Sequence, residues 1–347
     1  MKNQQIRYFF VLLQLMMTLE KFLEEWHDGN DRIQVHTSGS TGTPKLMWVE
    51  KSRMVASARM TCDFLGLHPG DTALLCMPLD YIAGKMMVVR SLHRQLQLTT
   101  IEPSGHPLAH TDIPFTFAAM VPLQVWNSLQ VDEEREKLRQ IRHLIIGGGA
   151  IDDSLAEKLK DFPNAVWSTY GMTETLSHIA LRRLNGPERS DWYTPFEGVD
   201  VSLSADGCLV VDAPEVCPER LVTNDLGVIS SISTPAGQRP CFRIIGRRDN
   251  VICTGGVKIQ IEEVERKLRP HLSVPFMISR RKDEKFGEIV VMLTESPDIK
   301  KCKTLCESLL QKYERPRLYI TVDKLPLTET GKPARAAAET LIASKDV

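Results

Sequence analysis

At 347 residues, 42% of them apolar and 25% charged, the chain has the composition of a folded globular protein too long for one ordinary core. Its 43 basic and 44 acidic residues leave a net charge of -1, which gives no sign of the basic stripe that a nucleic-acid or membrane binder needs. Eight cysteines lie without a CxxC pair or a histidine at zinc spacing, the usage of reduced thiols in a cytoplasmic protein.

Lys2 and Arg7 precede an apolar run from Tyr8 to Leu19. No small-residue cleavage site follows, and the run is too short to span a bilayer. We read residues 1–18 as a leader, with Met16 or Met17 the expected start of the protein and a membrane-surface helix the alternative. An amphipathic helix is expected from Leu19 to Trp26. From Arg32 to about Leu184, β-rich runs alternate with helical periodicity. Strands are expected near residues 33–36, 72–77, 98–101, 115–121, 143–146 and 166–170, and helices near 52–65, 84–94 and 152–160. That alternation predicts an α/β fold with a largely parallel sheet. Short strands broken by Asp-Gly, Pro and Asn-Asp turns predict a β-rich subdomain at about 195–248. Beyond Asp249, helices near 261–268 and 298–312 and strands near 276–280, 288–293 and 318–322 predict a compact α+β unit. The expected organisation is a large domain at 19–248 and a small, mobile C-terminal lid domain at 249–347.

The strongest local signal runs from His36 through Thr37, Ser38, Gly39, Ser40, Thr41, Gly42, Thr43 and Pro44 to Lys45, directly after an expected strand. Five hydroxyls, two glycines and a terminal lysine suit a nest of N–H and O–H groups around phosphate oxygens. It is not a Walker loop, because Pro44 interrupts the required Gly-Lys-Ser/Thr order. A second signal, Tyr170-Gly171-Met172-Thr173-Glu174, closes another expected strand. Tyr170 suits stacking on a base. Glu174 suits a magnesium ion that bridges phosphates, or the charge of a helix N-terminus. Gly147, Gly148, Gly149 and Ala150 also end a strand, where α/β sheets bind ligands.

Together these motifs resemble the acyl-adenylate-forming superfamily, which holds acyl-CoA synthetases, luciferases and peptide-synthetase adenylation domains. The resemblance continues in order through Thr223-Asn224-Asp225-Leu226-Gly227, Gly246-Arg247-Arg248-Asp249, Thr254-Gly255-Gly256-Val257-Lys258 and Leu325-Pro326-Leu327-Thr328-Glu329-Thr330-Gly331-Lys332. It implies ATP and coenzyme A as co-substrates, Mg2+ as the metal, and a small-molecule carboxylate that becomes an acyl-adenylate and then a thioester. By the same resemblance Asp225 and Arg247 hold the ribose and Asp249 is the hinge. Gly255 and Gly256 line the path of coenzyme A, and the mobile Lys332 acts with Thr173 and Glu174 in adenylation. The alternatives for Asp225, Gly255, Gly256 and Lys332 are ordinary turn and surface roles.

Within the superfamily, Met77 to Gly84, Val121 to Gln124 and Gly171 to His178 are most similar to the o-succinylbenzoate–CoA ligases of menaquinone biosynthesis. That similarity implies an acyl pocket with Tyr81, Lys85, Ser177 and His178 as candidates, and Arg90 and Arg94 as further basic residues on the same helix. Another aryl- or fatty acyl-CoA ligase, or a non-catalytic AMP- or acyl-binding protein, remains open. The chain departs from the family pattern at Tyr81, where histidine is common, and at Asn224, where glycine is common. Its phosphate loop also stands unusually close to the start. Oligomeric state is not legible.

Overall fold

The computed structural model describes residues 17–36, 46–149, 151, 153–234, 237–328 and 333–345. The phosphate loop at 37–45, Ala150, Lys332 and most of the leader therefore lie outside the described residues. By internal packing the chain divides into two compact units, Met1–Asp200 with Asp212–Arg220, and Val201–Val211 with Leu221–Val347.

In the first unit, Thr18 caps helix α1 (Leu19–His27) by accepting the Lys21 N–H. Strands β1 (Arg32–His36) and β2 (Leu46–Glu50) pair antiparallel, and α2 (Lys51–Leu65) follows directly. A seven-stranded sheet is built from β3 (Thr72–Leu75), β4 (Gln97–Thr100), β5 (Phe117–Met120), β6 (His143–Ile146), β7 (Ala165–Gly171), β8 (His178–Arg183) and β9 (Thr194–Pro195). Its order is β4-β3-β5-β6-β7-β8-β9. The strands are parallel up to β7, and β8 and β9 are antiparallel. Every residue of β5 is buried, as a central parallel strand covered on both faces requires.

One apolar core joins Leu74, Ala118, Met120, Leu144, Ile146 and Val166 of this sheet to α4 (Pro122–Gln130), α5 (Asp132–Gln140) and α6 (Asp153–Leu159). Helix α3 (Ile82–Arg94) also packs in this unit, with Gly84 so close to the Pro78 backbone that a Cβ would overlap its carbonyl. The expected α/β alternation is present. Helices α4 and α5 and the antiparallel end of the sheet are additions to it.

In the second unit, β10 (Asp200–Leu203), β11 (Cys208–Asp212), β12 (Leu221–Thr234) and β13 (Gly237–Arg247) form one sheet in that order. A second sheet has β14 (Val251–Thr254), β15 (Val257–Gln260), β16 (Phe276–Asp283), β17 (Gly287–Thr294) and β18 (Leu318–Thr321). Alternate residues of β16 and β17 serve two cores. Ile278, Val290 and Met292 pack toward α7 (Ile261–Leu268) and α8 (Ile299–Leu309). Met277, Ile289, Val291 and Leu293 pack toward α9 (Arg335–Ser344), a helix beyond those expected from periodicity.

The contact boundary near 200–221 lies upstream of Asp249, so the β-rich segment groups with the C-terminal elements. The physical reason is continuity. β13 runs through a single 3-10 turn (Arg248–Asn250) into β14, and the Gln260 amide donates to the Arg247 carbonyl at 2.9 Å.

Candidate functional site

In the first unit, the carboxyl ends of the parallel strands bring several sequence signals to one edge of the sheet. Gly147 follows β6 so closely that a Cβ there would stand 2.6 Å from the Thr169 hydroxyl of β7. A Cβ on Gly148 or Gly149 would meet Val121 or Pro122, both just past β5, at 3.4 Å. The glycine run, the end of β5 and the end of β7 are therefore neighbours, outside the strand ends where open α/β sheets bind ligands. Tyr170 is only 6% exposed and tilts against Tyr193 at 5.9 Å between ring centroids. Most of its ring is thus already covered by protein.

The segment after Tyr170 is a tight reversal. A 3-10 turn (Thr173–Thr175) links β7 to β8, and Gly171 pairs with His178. A Cβ on Gly171 would overlap the Ser177 carbonyl and the His178 Cα, so only glycine lets the two strands approach. The buried Thr175 hydroxyl accepts from the Met172 N–H at 3.1 Å and donates to the Ser177 carbonyl at 2.8 Å. Leu176 is held at a φ of 64°, a left-handed conformation that a buried leucine adopts only where its surroundings impose it. Thr173 is buried at the start of this turn, and Glu174 is exposed on it.

The turn ends on a chain of polar groups. Arg90 of α3 donates from Nη2 to Ser177 Oγ at 2.6 Å. Ser177 Oγ lies 3.2 Å from His178 Nδ1, and His178 Nε2 lies 3.0 Å from Thr61 Oγ1 of α2. Thr61 donates to the Ser57 carbonyl at 3.1 Å. Arg90 is 2% exposed, and its Nε has no hydrogen-bond partner among the described residues. Among the described residues its Nη1 reaches only the Met87 sulfur, at 3.8 Å, and no carboxylate pairs with it. Burial pulls its pKa down to about 10, which still leaves a cation at neutral pH. Burial first and the Arg90 charge second hold His178 neutral.

Lys85, on the same helix, points elsewhere. Its ammonium donates to the Gln34 carbonyl of β1 at 3.0 Å and sits 5.6 Å from the Phe22 ring, and burial lowers its pKa. Tyr81 occupies the N-cap position of α3. The structure therefore brings Ser177 and His178 together with Arg90 and places Lys85 against β1 and α1.

In the second unit, Asp225 of β12 lies opposite Arg247 of β13, and the guanidinium donates to its carboxylate at 3.1 Å. Arg247 also reaches Asp249 at 3.0 Å, while Asn224 donates to Asp249 at 3.2 Å and accepts from Arg248 at 2.8 Å. Asn224, noted in the sequence only as a departure, is thus a bridge between these residues. Gly255 and Gly256, at φ of 56° and 82°, form the two-residue turn of the β14–β15 hairpin, a backbone that side chains disfavour. The Gly255 N–H donates to the Phe286 carbonyl at 2.9 Å. Two members of the first unit's polar chain, Arg90 and Thr61, carry little signal in the sequence. A basic residue on a helix usually marks a solvated face, and a helical threonine marks nothing.

A family model described as AMP-binding enzyme matches residues 24–219, more than half of the chain. The chain is 34% identical to an acyl-CoA synthetase (AMP-forming)/AMP-acid ligase II-like protein of Dyadobacter fermentans, covering 91% of each chain with a TM-score of 0.61. A 2-succinylbenzoate–CoA ligase of Haemophilus influenzae is 27% identical over 270 residues, 75% of this chain but only 58% of that relative. The chain thus spans less than two thirds of that relative's length. The o-succinylbenzoate coenzyme A synthetase of Bacillus subtilis, solved with ATP and magnesium ion, shares the fold. Its TM-score is 0.69 at 22% identity, over 87% of this chain and 68% of that one.

Proposed function

The chain belongs to the AMP-binding enzyme family, and from that premise we propose that it is an AMP-forming carboxylate–CoA ligase whose acid is o-succinylbenzoate. The observation that carries this reading is the turn from Gly171 to His178. Its start presents Thr173 and Glu174, and its end holds Ser177 against the buried guanidinium of Arg90, which pairs with no carboxylate of the described residues. A buried charge without a partner is costly, and an anionic group of a ligand offsets that cost. An acid with two carboxylates meets both requirements, one group to be activated and one to meet Arg90.

In this reading the carboxylate oxygen attacks the α-phosphorus of ATP and pyrophosphate leaves. The coenzyme A thiol then attacks the acyl carbonyl and AMP leaves. Neither step needs a protein nucleophile, so positioning and charge neutralisation carry the catalysis. Thr37 to Lys45, with Gly148, Gly149, Ala150 and the Tyr170–Met172 segment, would hold the nucleotide. Asp225 and Arg247 would hold its ribose. Lys332 would counter charge between carboxylate and α-phosphate, Asp249 would be the pivot, and Gly255 and Gly256 would line the coenzyme A path.

Among the described residues no three His, Cys, Asp or Glu side chains converge, while Glu174 stands exposed on its turn. That donor set fits magnesium, which takes one or two carboxylates beside phosphate oxygens and water. When bound, the ion neutralises phosphate charge; Glu174 would hold it. No helix of the described residues is long and apolar enough to cross a membrane, and a cytoplasmic location is part of the proposal.

Carboxylate-dependent ATP–pyrophosphate exchange over a panel of acids tests the reading. Exchange with o-succinylbenzoate alone supports it. Exchange with other acids instead assigns a different acyl-CoA ligase, and AMP binding without any exchange assigns a non-catalytic protein.

A further inference from the structure

In the polar chain that starts at Arg90, one placement of protons gives every hydroxyl proton an acceptor within the chain. In it the single hydroxyl proton of Thr61 goes to the Ser57 carbonyl, and Thr61 Oγ1 accepts from His178 Nε2. A neutral imidazole with its proton on Nε2 leaves Nδ1 as an acceptor, which takes the Ser177 hydroxyl proton. Ser177 Oγ then has only lone pairs for Arg90, whose Nη2 donates to it at 2.6 Å. Every link runs in the same direction, and Thr61 and His178 are both buried. In this placement the hydroxyl of Ser177 is committed inward, with no proton left for a ligand. The buried Nε–H of Arg90 is left without a partner among the described residues.

We propose that Thr61 and His178 are positioning residues for selection of the acid: they lock Ser177 as an acceptor, which fixes the Arg90 guanidinium and leaves its Nε–H for the acid's second anionic group. This deepens the proposed ligase reading and rests on it for the kinetic half of the test. Thr61 and His178 touch neither the acid nor the nucleotide. Their effect is transmitted through Ser177.

The experiment has two arms on the full-length protein. In the first, exchange kinetics compare Thr61→Val and Thr61→Ser using o-succinylbenzoate and the same acid lacking its aromatic carboxylate. Thr61→Val removes the acceptor at nearly constant shape, so KM for the dianionic acid rises about tenfold, the worth of one buried hydrogen bond. The maximal rate, KM for ATP and KM for the monoanionic acid stay at wild-type values, and Thr61→Ser restores the dianionic KM. A merely structural role would impair both acids together, and that outcome, or an unchanged Thr61→Val, overturns the proposal.

The second arm does not depend on turnover. Isotope-labelled histidine, assigned with His178→Asn, reports the imidazole tautomer by nuclear magnetic resonance. A neutral ring protonated on Nε2 in wild type, redistributed in Thr61→Val, supports the relay. A ring protonated on Nδ1, or an imidazolium at neutral pH, overturns it. Should wild type exchange with neither acid while the tautomer is as stated, the ligase reading fails and the relay stands as a structural fact. Equal KM values for the two acids in wild type remove the selection role.

Discussion

Replacing Arg90 with methionine should make the protein more stable and less able to use a dianionic acid. The side chain is 2% exposed, its Nε lacks a partner among the described residues, and burial lowers its pKa to about 10. At about 1.4 kcal/mol per pH unit, keeping this cation charged in the interior costs on the order of 3 kcal/mol. Methionine removes that cost at similar length, and the lost hydrogen bond to Ser177 takes back about 1–2 kcal/mol. The expected net is a gain of about 1–2 kcal/mol, in the range seen when buried charges are exchanged for apolar groups. If the acid's second carboxylate pairs with Arg90, removing that partner costs about 2–5 kcal/mol of binding, a rise in KM of roughly 30-fold or more. Urea denaturation and exchange kinetics with the dianionic and monoanionic acids measure the two sides. A variant that is destabilised and loses both acids equally would refute the reasoning and make Arg90 an ordinary core member.

Four further outcomes follow from the same geometry. Gly171→Ala forces a Cβ into the Ser177 carbonyl, so it should cost about 2–4 kcal/mol in denaturation and abolish exchange, whereas Gly29→Ala, with nothing within 4 Å, should leave exchange intact. His143, with a buried Nδ1 that lacks a partner among the described residues, is held at a pKa of about 4 by burial and by Arg142 and Arg183; His178 is lowered too. The unfolded chain therefore binds more protons than the native one between about pH 4 and 6.5, so stability is full above that window and falls as pH drops through it. Denaturation midpoints should fall as pH drops from about 7 to 5, and fall less in His143→Gln; a flat profile would contradict two imidazoles held neutral by desolvation. In the second unit, Arg335 grips Glu265 through two contacts at 2.7 and 2.9 Å and donates to the Ile278 carbonyl at 2.6 Å. Glu265→Ala should destabilise that unit by about 3–5 kcal/mol, with hydrogen exchange accelerating in α9. Lys332→Ala should abolish adenylate formation while sparing thioester formation from supplied acyl-adenylate; equal loss in both half-reactions would refute its assigned role.

Much of the fold is legible because burial imposes a period on the chain. The alternation in β16 and β17 sorts Met277 and Ile278, or Ile289 and Val290, to opposite cores, and no other layer arrangement satisfies it. Helix α5 was hidden because its sequence DEEREKLRQ buries only Glu134 and Leu138, too few apolar residues to set a helical period. Glu134 is buried by virtue of hydrogen bonds to Ser128 at 2.9 Å and His106 at 2.8 Å, partners that local sequence does not reveal.

The sequence by itself determined that a glycine- and hydroxyl-rich loop, an Asp225–Arg247 segment and a Gly255–Gly256 turn occur in one order along an α/β chain, because backbone geometry and motif spacing are local properties. It could not choose between Lys85 and Arg90. The two lie five residues apart on α3, about 140° around the helix at 3.6 residues per turn, so they face different neighbours. Only the packing of α3 against the β7–β8 turn, which brings Ser177 to Arg90 across 87 positions of sequence, decides that Arg90 meets Ser177 and that Lys85 meets β1.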